Sequence, residues 1–366
     1  MHAEFQLLMN QATELTRSGN LAAATAAIQT ALRRGAHSAR PHQGESDVID
    51  VEAREIPDST RGSGSTQTAA EGLTTRARNS ASTSELFIPG SFRNAAGQRS
   101  YKLYVPPNAG EQPLPLVVML HGCTQNADDF AAGTDMNKAA RDRGFYVLYA
   151  NQSPKASPQM CWSWFKHNHQ QSGRGEPSIL AGMTQNIIAT RAIDTRRVYV
   201  AGLSAGGAMA AILAGAYPDL YAAVGVHSGL APGAASDLPS ALAAMKSPRI
   251  QAPTQAGNGV PTIVFHGDRD AIVHPHNAQN VIAASAGSSV RVKTLHVPGV
   301  NNTRHSTKHV YQNTAGNIIA ERWEIHGAGH AWAGGTKNGS YTDSSGPDAT
   351  AEMLRFFFES VLNNKR

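Results

Sequence analysis

The apolar positions of this chain change character along its length. Phe5, Leu8, Met9, Ala12 and Leu15 share one helical face, Ser18-Gly19-Asn20 interrupts, and Leu21, Ala24, Ile28, Ala31 and Leu32 form a second stripe that stops at Gly35. Residues 37–85 carry almost no large apolar side chain and are rich in Ser, Thr, Gly, Ala and charge, as in RGSGST (61–66). From residue 86 onward, short apolar runs alternate with segments of helical period. Phe87-Ile88 and SYKLYV (100–105), stopped by Pro106-Pro107, predict two antiparallel opening strands. LVVML (116–120) is unbroken, as a strand covered on both faces would be. FYVLYA (145–150), VYVA (198–201), YAAVGV (221–226), TIVFH (262–266), 291–297 and AERWEI (320–325) predict further strands. Helices are expected over 127–143, 178–192, 207–214, 276–287 and 347–361. Residues 151–177 and 231–261 look irregular, the second reading as an insertion or lid. Strands alternating with helices imply a doubly wound, mostly parallel sheet, whose chemistry gathers at the carboxyl ends of the strands.

The pattern divides the chain into a helical hairpin (1–36), a disordered linker (37–85) and an α/β domain (86–366). The hairpin resembles a single tetratricopeptide-type unit with Gly19 between its helices. One such unit cannot bury its own face, and no second copy follows. It is read as a small appendage, a docking element being the functional alternative.

The α/β domain is organised around Gly202-Leu203-Ser204-Ala205-Gly206. This G-x-S-x-G follows an apolar strand and precedes a helix of small residues, the context in which the motif carries meaning. A sharp turn there presents the Ser204 hydroxyl, and the amide of the next residue lies beside it at a helix N-terminus. An attacking nucleophile and a developing oxyanion would both be served.

Composition narrows the field. In 366 residues, 41% are hydrophobic and 16% charged, which suits a globular core. Net charge is +5, with Arg33-Arg34 and Arg196-Arg197 only as pairs, so a nucleic-acid role finds neither a patch nor a motif. No apolar stretch approaches the roughly 18 residues of a membrane helix, so membrane insertion is not expected. The two cysteines are not expected to build a disulfide framework or a four-ligand zinc site, and the 15 histidines include no H-E-x-x-H. Neither metal nor cofactor is expected. Met1-His2-Ala3-Glu4 shows no basic leader region, so the chain reads as cytoplasmic by sequence.

Further short stretches follow strands: LHGC (120–123), HGDRD (266–270) and IHGAGHAW (325–332). The order Ser, Asp, His is that of α/β-hydrolases. Serine is a weak nucleophile at its own pKa and needs a base. Histidine suits that task near neutral pH, and an acid must hold its tautomer. Together LHGCTQNADDF (120–130), CWSWF (161–165), GLSAGG (202–207), HGDRDAIV (266–273) and GAGHAWAGG (327–335) resemble the polyhydroxybutyrate-depolymerase family of esterases, related to feruloyl and acetylxylan esterases. The resemblance covers roughly residues 86–366. It implies an α/β-hydrolase fold, Ser204 as nucleophile, Asp270 as acid, His330 as base, and the backbone amides of Cys123 and Ala205 as oxyanion donors. Asp270 matches the family's H-G-x-x-D-x-x-V pattern, which leaves Asp268 to cap its turn through backbone N–H bonds. Many relatives are secreted with an evident signal peptide, which leaves the compartment open.

His121, His227 and His326 are read as structural, with His121 supporting its loop. Cys123 and Cys161 stand near the carboxyl edge of adjacent strands, bonded or free. Trp162, Trp164 and Trp332 either line an acyl or aromatic site or pack the core. The expected activity is hydrolysis of hydroxyalkanoate, feruloyl or acetyl esters, small or polymeric. Acyl transfer, peptide hydrolysis and non-catalytic binding on the same fold are the alternatives.

Overall fold

A computed structural model describes residues 86–249, 257–300 and 303–362. The chain divides into two units, Met1–Arg76 and Ala77–Arg366, and the described residues all belong to the second. The hairpin and linker expected before residue 86 lie outside them.

Ten strands make one sheet. They are β1 (Leu86–Asn94), β2 (Gly97–Val105), β3 (Leu114–Leu120), β4 (Tyr146–Ala150), β5 (Ile193–Leu203), β6 (Ala223–His227), β7 (Thr262–Gly267), β8 (Arg291–Val297), β9 (Ser306–Gln312) and β10 (Ile318–Ile325). Their order across the sheet is β1-β2-β4-β3-β5-β6-β7-β10-β9-β8. From β4 to β10 all neighbours are parallel. Antiparallel strands extend it on both sides, β1 and β2 at one edge, β9 and β8 at the other.

The seven helices are α1 (Ala127–Thr134), α2 (Met136–Arg143), α3 (Gly175–Thr190), α4 (Ala205–Ala216), α5 (Leu238–Lys246), α6 (His276–Ala286) and α7 (Ala349–Glu359) among the described residues. Strand alternation sorts the core between two layers. Leu116, Val118 and Leu120 of β3 join one cluster with residues of α3, α4, α5 and α6. Val117 and Met119 join the other with residues of α1, α2 and α7. The unbroken apolar run of β3 is thus explained, since each face buries its own half. This is a doubly wound α/β fold.

Three segments differ from the sequence expectation. The helix expected over 127–143 is two, because Asp135 adopts φ 54° between α1 and α2. The segment 231–261, expected to be irregular, contains α5. Its start is fixed by a capping box in which the Asp237 side chain accepts the Ser240 N–H at 2.8 Å. Strand β9 was not foreseen: STKHVYQ is mostly polar and only Ser306 and Val310 are buried. Among the described residues no helix is long and apolar enough to cross a membrane.

Candidate active site

The strands β3, β5, β7 and β10 run in parallel, so the loops that leave their carboxyl ends share one end of the sheet. Ser204 sits between β5 and α4 with φ 57° and ψ −119°, a conformation rarely open to a residue with a side chain. Its N–H donates to the His227 carbonyl at 2.8 Å, and its carbonyl accepts the Ala208 N–H at 2.9 Å. A Cβ on Gly206 would lie 2.0 Å from the Leu120 carbonyl oxygen, and one on Gly202 would lie 2.4 Å from the Gly206 carbonyl carbon. Glycine at both places lets the turn close against the end of β3.

Asp270 and His330 meet across the sheet end. Asp270 Oδ2 lies 2.7 Å from His330 Nδ1. The other oxygen, Oδ1, accepts the N–H groups of Ile272 and Val273, both at 2.9 Å. His266 Nε2 lies 2.8 Å from the Val273 carbonyl and 3.3 Å from Asp270 Oδ2; both are acceptors, so this nitrogen carries its proton. Burial by itself pushes the Asp270 carboxyl up. The hydrogen bonds from His266 and His330 outweigh it and hold the group well below the usual carboxylate range.

Asp268 does not cap its own turn. Its carboxylate reaches to the loop after β10, accepting the Gly327 N–H at 2.7 Å and lying 3.1 Å from His326 Nδ1. The turn bonds expected of Asp268 are made by Asp270. The ligand atoms of Asp268, Glu324 and His326 all fall within 4.8 Å of one another. Asp268 is engaged by His326 and Gly327, and Glu324 by Arg322 at 3.2 Å, so this donor set is committed to internal partners.

The loop 121–125 stands beside Ser204. His121 is buried; its Nε2 accepts the Gln152 N–H at 3.1 Å, which leaves the proton on Nδ1, 2.7 Å from the Gly122 carbonyl. Burial pulls this imidazole down to about 4, against the Gly122 hydrogen bond and the Asp129 charge. The Gly122 N–H donates to Gln125 Oε1 at 2.9 Å, and Gln125 is held in turn by Asp129 and Ser340. Cys123 and Cys161 are joined in a disulfide that pins this loop to the segment 151–177. That segment folds around the buried Glu176, which accepts from Arg99 at 2.8 Å, from the Ser163 N–H at 2.7 Å and from Gln152.

A cleft of about 350 Å³ opens over Ser204 and His330, with Cys123 and Ala205 in its wall. Leu230, Leu238, Ala241, Leu242 and Met245 line it, with Ile272 and Val273. Apart from Ser204 and His330, its polar side chains are Gln159 and Tyr341. Trp164 lines the cleft, but Trp162 and Trp332 do not and are 0% and 1% exposed. They are corrected to core residues whose indole N–H groups are satisfied inside. Trp162 donates to the His121 carbonyl at 3.1 Å, and Trp332 donates to Thr350 Oγ1 at 3.1 Å while packing edge-on against Phe130. The α5 wall escaped the sequence reading, although Leu238, Ala241, Leu242 and Met245 have the i, i+3, i+4, i+7 spacing that signals it. Tyr341, at φ 53° with its hydroxyl 3.2 Å from Thr124 Oγ1, gave no such signal.

The sequence profile of the family described as "Esterase PHB depolymerase" matches residues 99–295, more than half of the chain. The chain belongs to this esterase family. The matched span includes Ser204 and Asp270, with His330 beyond it. Poly(3-hydroxyalkanoate) depolymerase C of Paucimonas lemoignei is 32% identical over 229 residues, 59% of this chain and 54% of that protein. Feruloyl esterase B of Thermothelomyces thermophilus is 34% identical over 142 residues, 38% of this chain and 47% of that protein. A probable acetylxylan esterase A of Neosartorya fischeri is 29% identical over 53% of this chain and 56% of its own length. The chain thus spans about half the length of these curated relatives. Among solved structures, the acetyl xylan esterase from Aspergillus awamori shares the fold with a TM-score of 0.57 at 21% identity, over 71% of this chain and 94% of that one. The esterase-family fold is therefore an α/β-hydrolase fold, in agreement with the sequence resemblance.

Proposed function

We propose that this chain hydrolyses carboxylic esters through an acyl-enzyme on Ser204. His330, oriented by Asp270, takes the Ser204 proton as Oγ attacks the ester carbonyl. The amides of Cys123 and Ala205 hold the tetrahedral oxyanion. His330 then gives the proton to the leaving alcohol. Water, deprotonated by the same ring, attacks the acyl-enzyme, and the ring returns that proton to Ser204 Oγ as the acid leaves. The observation that carries this reading is the 2.7 Å contact of Asp270 Oδ2 with His330 Nδ1, at a cleft that also exposes Ser204. It leaves Nε2 of His330 as the ring position free for proton transfer.

The apolar lining supports an aliphatic or aromatic acyl group, of the hydroxyalkanoate or feruloyl kind, better than a small acetyl group on a sugar. A polysaccharide would meet few polar side chains there. A panel of p-nitrophenyl esters of rising chain length, methyl ferulate, hydroxybutyrate oligomers and acetylated xylan tests both parts. The expected result is hydrolysis that improves from acetate to longer or aromatic acyl groups. Ser204→Ala should lower turnover on the order of a million-fold. Turnover within tenfold of the parent, free of contaminating esterase, would remove Ser204 from the mechanism.

A further inference from the structure

His227 ends β6, is fully buried, and is not part of the cleft wall. It nevertheless touches both loops that carry the reacting groups. Its main-chain carbonyl accepts the Ser204 N–H at 2.8 Å. Its ring Nε2 accepts the N–H of Ala333 at 3.0 Å, three residues beyond His330. Because Nε2 accepts, the ring proton sits on Nδ1, 3.2 Å from Ser228 Oγ. Phe265 and Trp332 stack on the ring, at centroid distances of 5.9 and 5.2 Å.

A plain core position here would be filled as well by phenylalanine, with no polar atom to satisfy. An imidazole adds one acceptor, aimed at one backbone amide of the base loop. Burial, with the His266 and His330 rings nearby, pulls this imidazole down to about 3, so Nε2 keeps its lone pair across the neutral range. One residue therefore fixes the nucleophile turn by its backbone and the base loop by its side chain.

We propose that His227 is a positioning residue that sets His330 against Ser204 through the Nε2–Ala333 hydrogen bond. The proposal rests on the reading of Ser204 and His330 as nucleophile and base.

The test compares His227→Phe, His227→Gln and His227→Asn, with Ser204→Ala alongside, on p-nitrophenyl butyrate. Phenylalanine keeps the stacked ring and loses the acceptor. Glutamine carries an amide oxygen at about the reach of Nε2, whereas asparagine reaches only as far as Nδ1. His227→Phe should lower kcat about 10- to 100-fold with KM within about twofold, the scale of a small misplacement of reacting groups. His227→Gln should recover most of that loss and His227→Asn should not. The rate at which a fluorophosphonate labels Ser204 should follow the same order. If phenylalanine prevents folding, the glutamine and asparagine pair decides: equal kcat in both overturns the proposal. So does a folded His227→Phe within about threefold of the parent. An inactive Ser204→Ala beside an unimpaired His227→Phe overturns this inference alone. An active Ser204→Ala overturns the underlying mechanism as well.

Discussion

Asp270 Oδ2 and His330 Nδ1 lie 2.7 Å apart although 60 residues separate them in the chain. The contact is prepared from the aspartate side. Two backbone N–H groups hold Oδ1, so the carboxylate cannot turn away. His266 then shares Oδ2 with His330. Four donors on one carboxylate account for its staying ionised inside the protein, where an unpaired charge would be expelled.

Asp270→Asn should lower kcat by roughly ten-thousand-fold, because an amide nitrogen facing Nδ1 selects the wrong tautomer. Asp268→Asn should cost about 1 kcal/mol of stability and little activity, since it joins the loops after β7 and β10 without touching His330. Kinetics and urea melts of both variants check the pair. A dead Asp268→Asn beside an active Asp270→Asn would reverse the roles.

Acid should destabilise the fold well above the carboxylate range. His121 and His227 are buried and neutral, pulled down to about 4 and about 3. In the unfolded chain both take up a proton near pH 6.5. Below that pH the unfolded state binds more protons, so stability falls as pH falls, by up to about 1.4 kcal/mol per pH unit for each ring. The stabilisation is complete above about pH 6.5 and lost progressively toward pH 4. Asp270, with its lowered carboxyl, adds a loss in the same direction only at still lower pH. Urea melts between pH 7 and pH 4.5 measure the slope, which should be shallower in His227→Gln. A flat profile would contradict the neutral buried rings.

The central strands could be read from sequence because burial on both faces leaves unbroken apolar runs such as that of β3. Strand β9 could not: it lies antiparallel between β10 and β8, and its mostly polar, half-buried residues resemble a loop. Helix α5 hid behind its flanking Pro and Gly residues. At the site, Ser204, Asp270 and His330 sat in short motifs after strands, so their types and order carried the signal. The roles of Trp162, Trp332 and His227 depend on contacts such as His227 with Ala333, 106 residues apart, which no local pattern records.

Reducing the Cys123–Cys161 bond should cost stability more than chemistry. The bond closes a loop of 38 residues. Restricting such a loop in the unfolded chain is worth about 4 kcal/mol on the chain-entropy estimate. Cys123→Ser should melt at lower temperature yet keep most turnover, because the backbone amide at 123 is retained. Complete loss of turnover in a well-folded variant would instead assign the thiol a chemical part.

Leu242→Asp should change substrate preference. Leu242 is 57% exposed and lines the cleft, so the substitution places charge there at little cost to the core. KM should rise for a p-nitrophenyl octanoate and change little for the acetate. Equal effects on both esters would show that the acyl chain does not lie along α5.

The close approach of α4 to β3 gives the sharpest steric test. A Cβ on Gly206 would stand 2.0 Å from the Leu120 carbonyl oxygen and 2.5 Å from that of His121. Both neighbours are backbone atoms at the start of the loop that bears Cys123, so no side-chain rotation relieves the contact. Either the α4 N-terminus or the end of β3 must move, and the amides of Ala205 and Cys123 move apart with it. Overpacking of this kind costs about 1–3 kcal/mol, occasionally more. Losing one oxyanion donor costs on the order of a hundredfold or more in kcat. Gly206→Ala should therefore lose activity out of proportion to its loss of stability. Gly329→Ala provides the control: it adjoins His330, but its Cβ would meet nothing within 4 Å. It should stay within about 0.5 kcal/mol of the parent, as an unhindered surface change does. Thermal melts and p-nitrophenyl ester kinetics on the two variants give the comparison. A Gly206→Ala protein as active and stable as the parent would mean that the turn does not sit this close to β3.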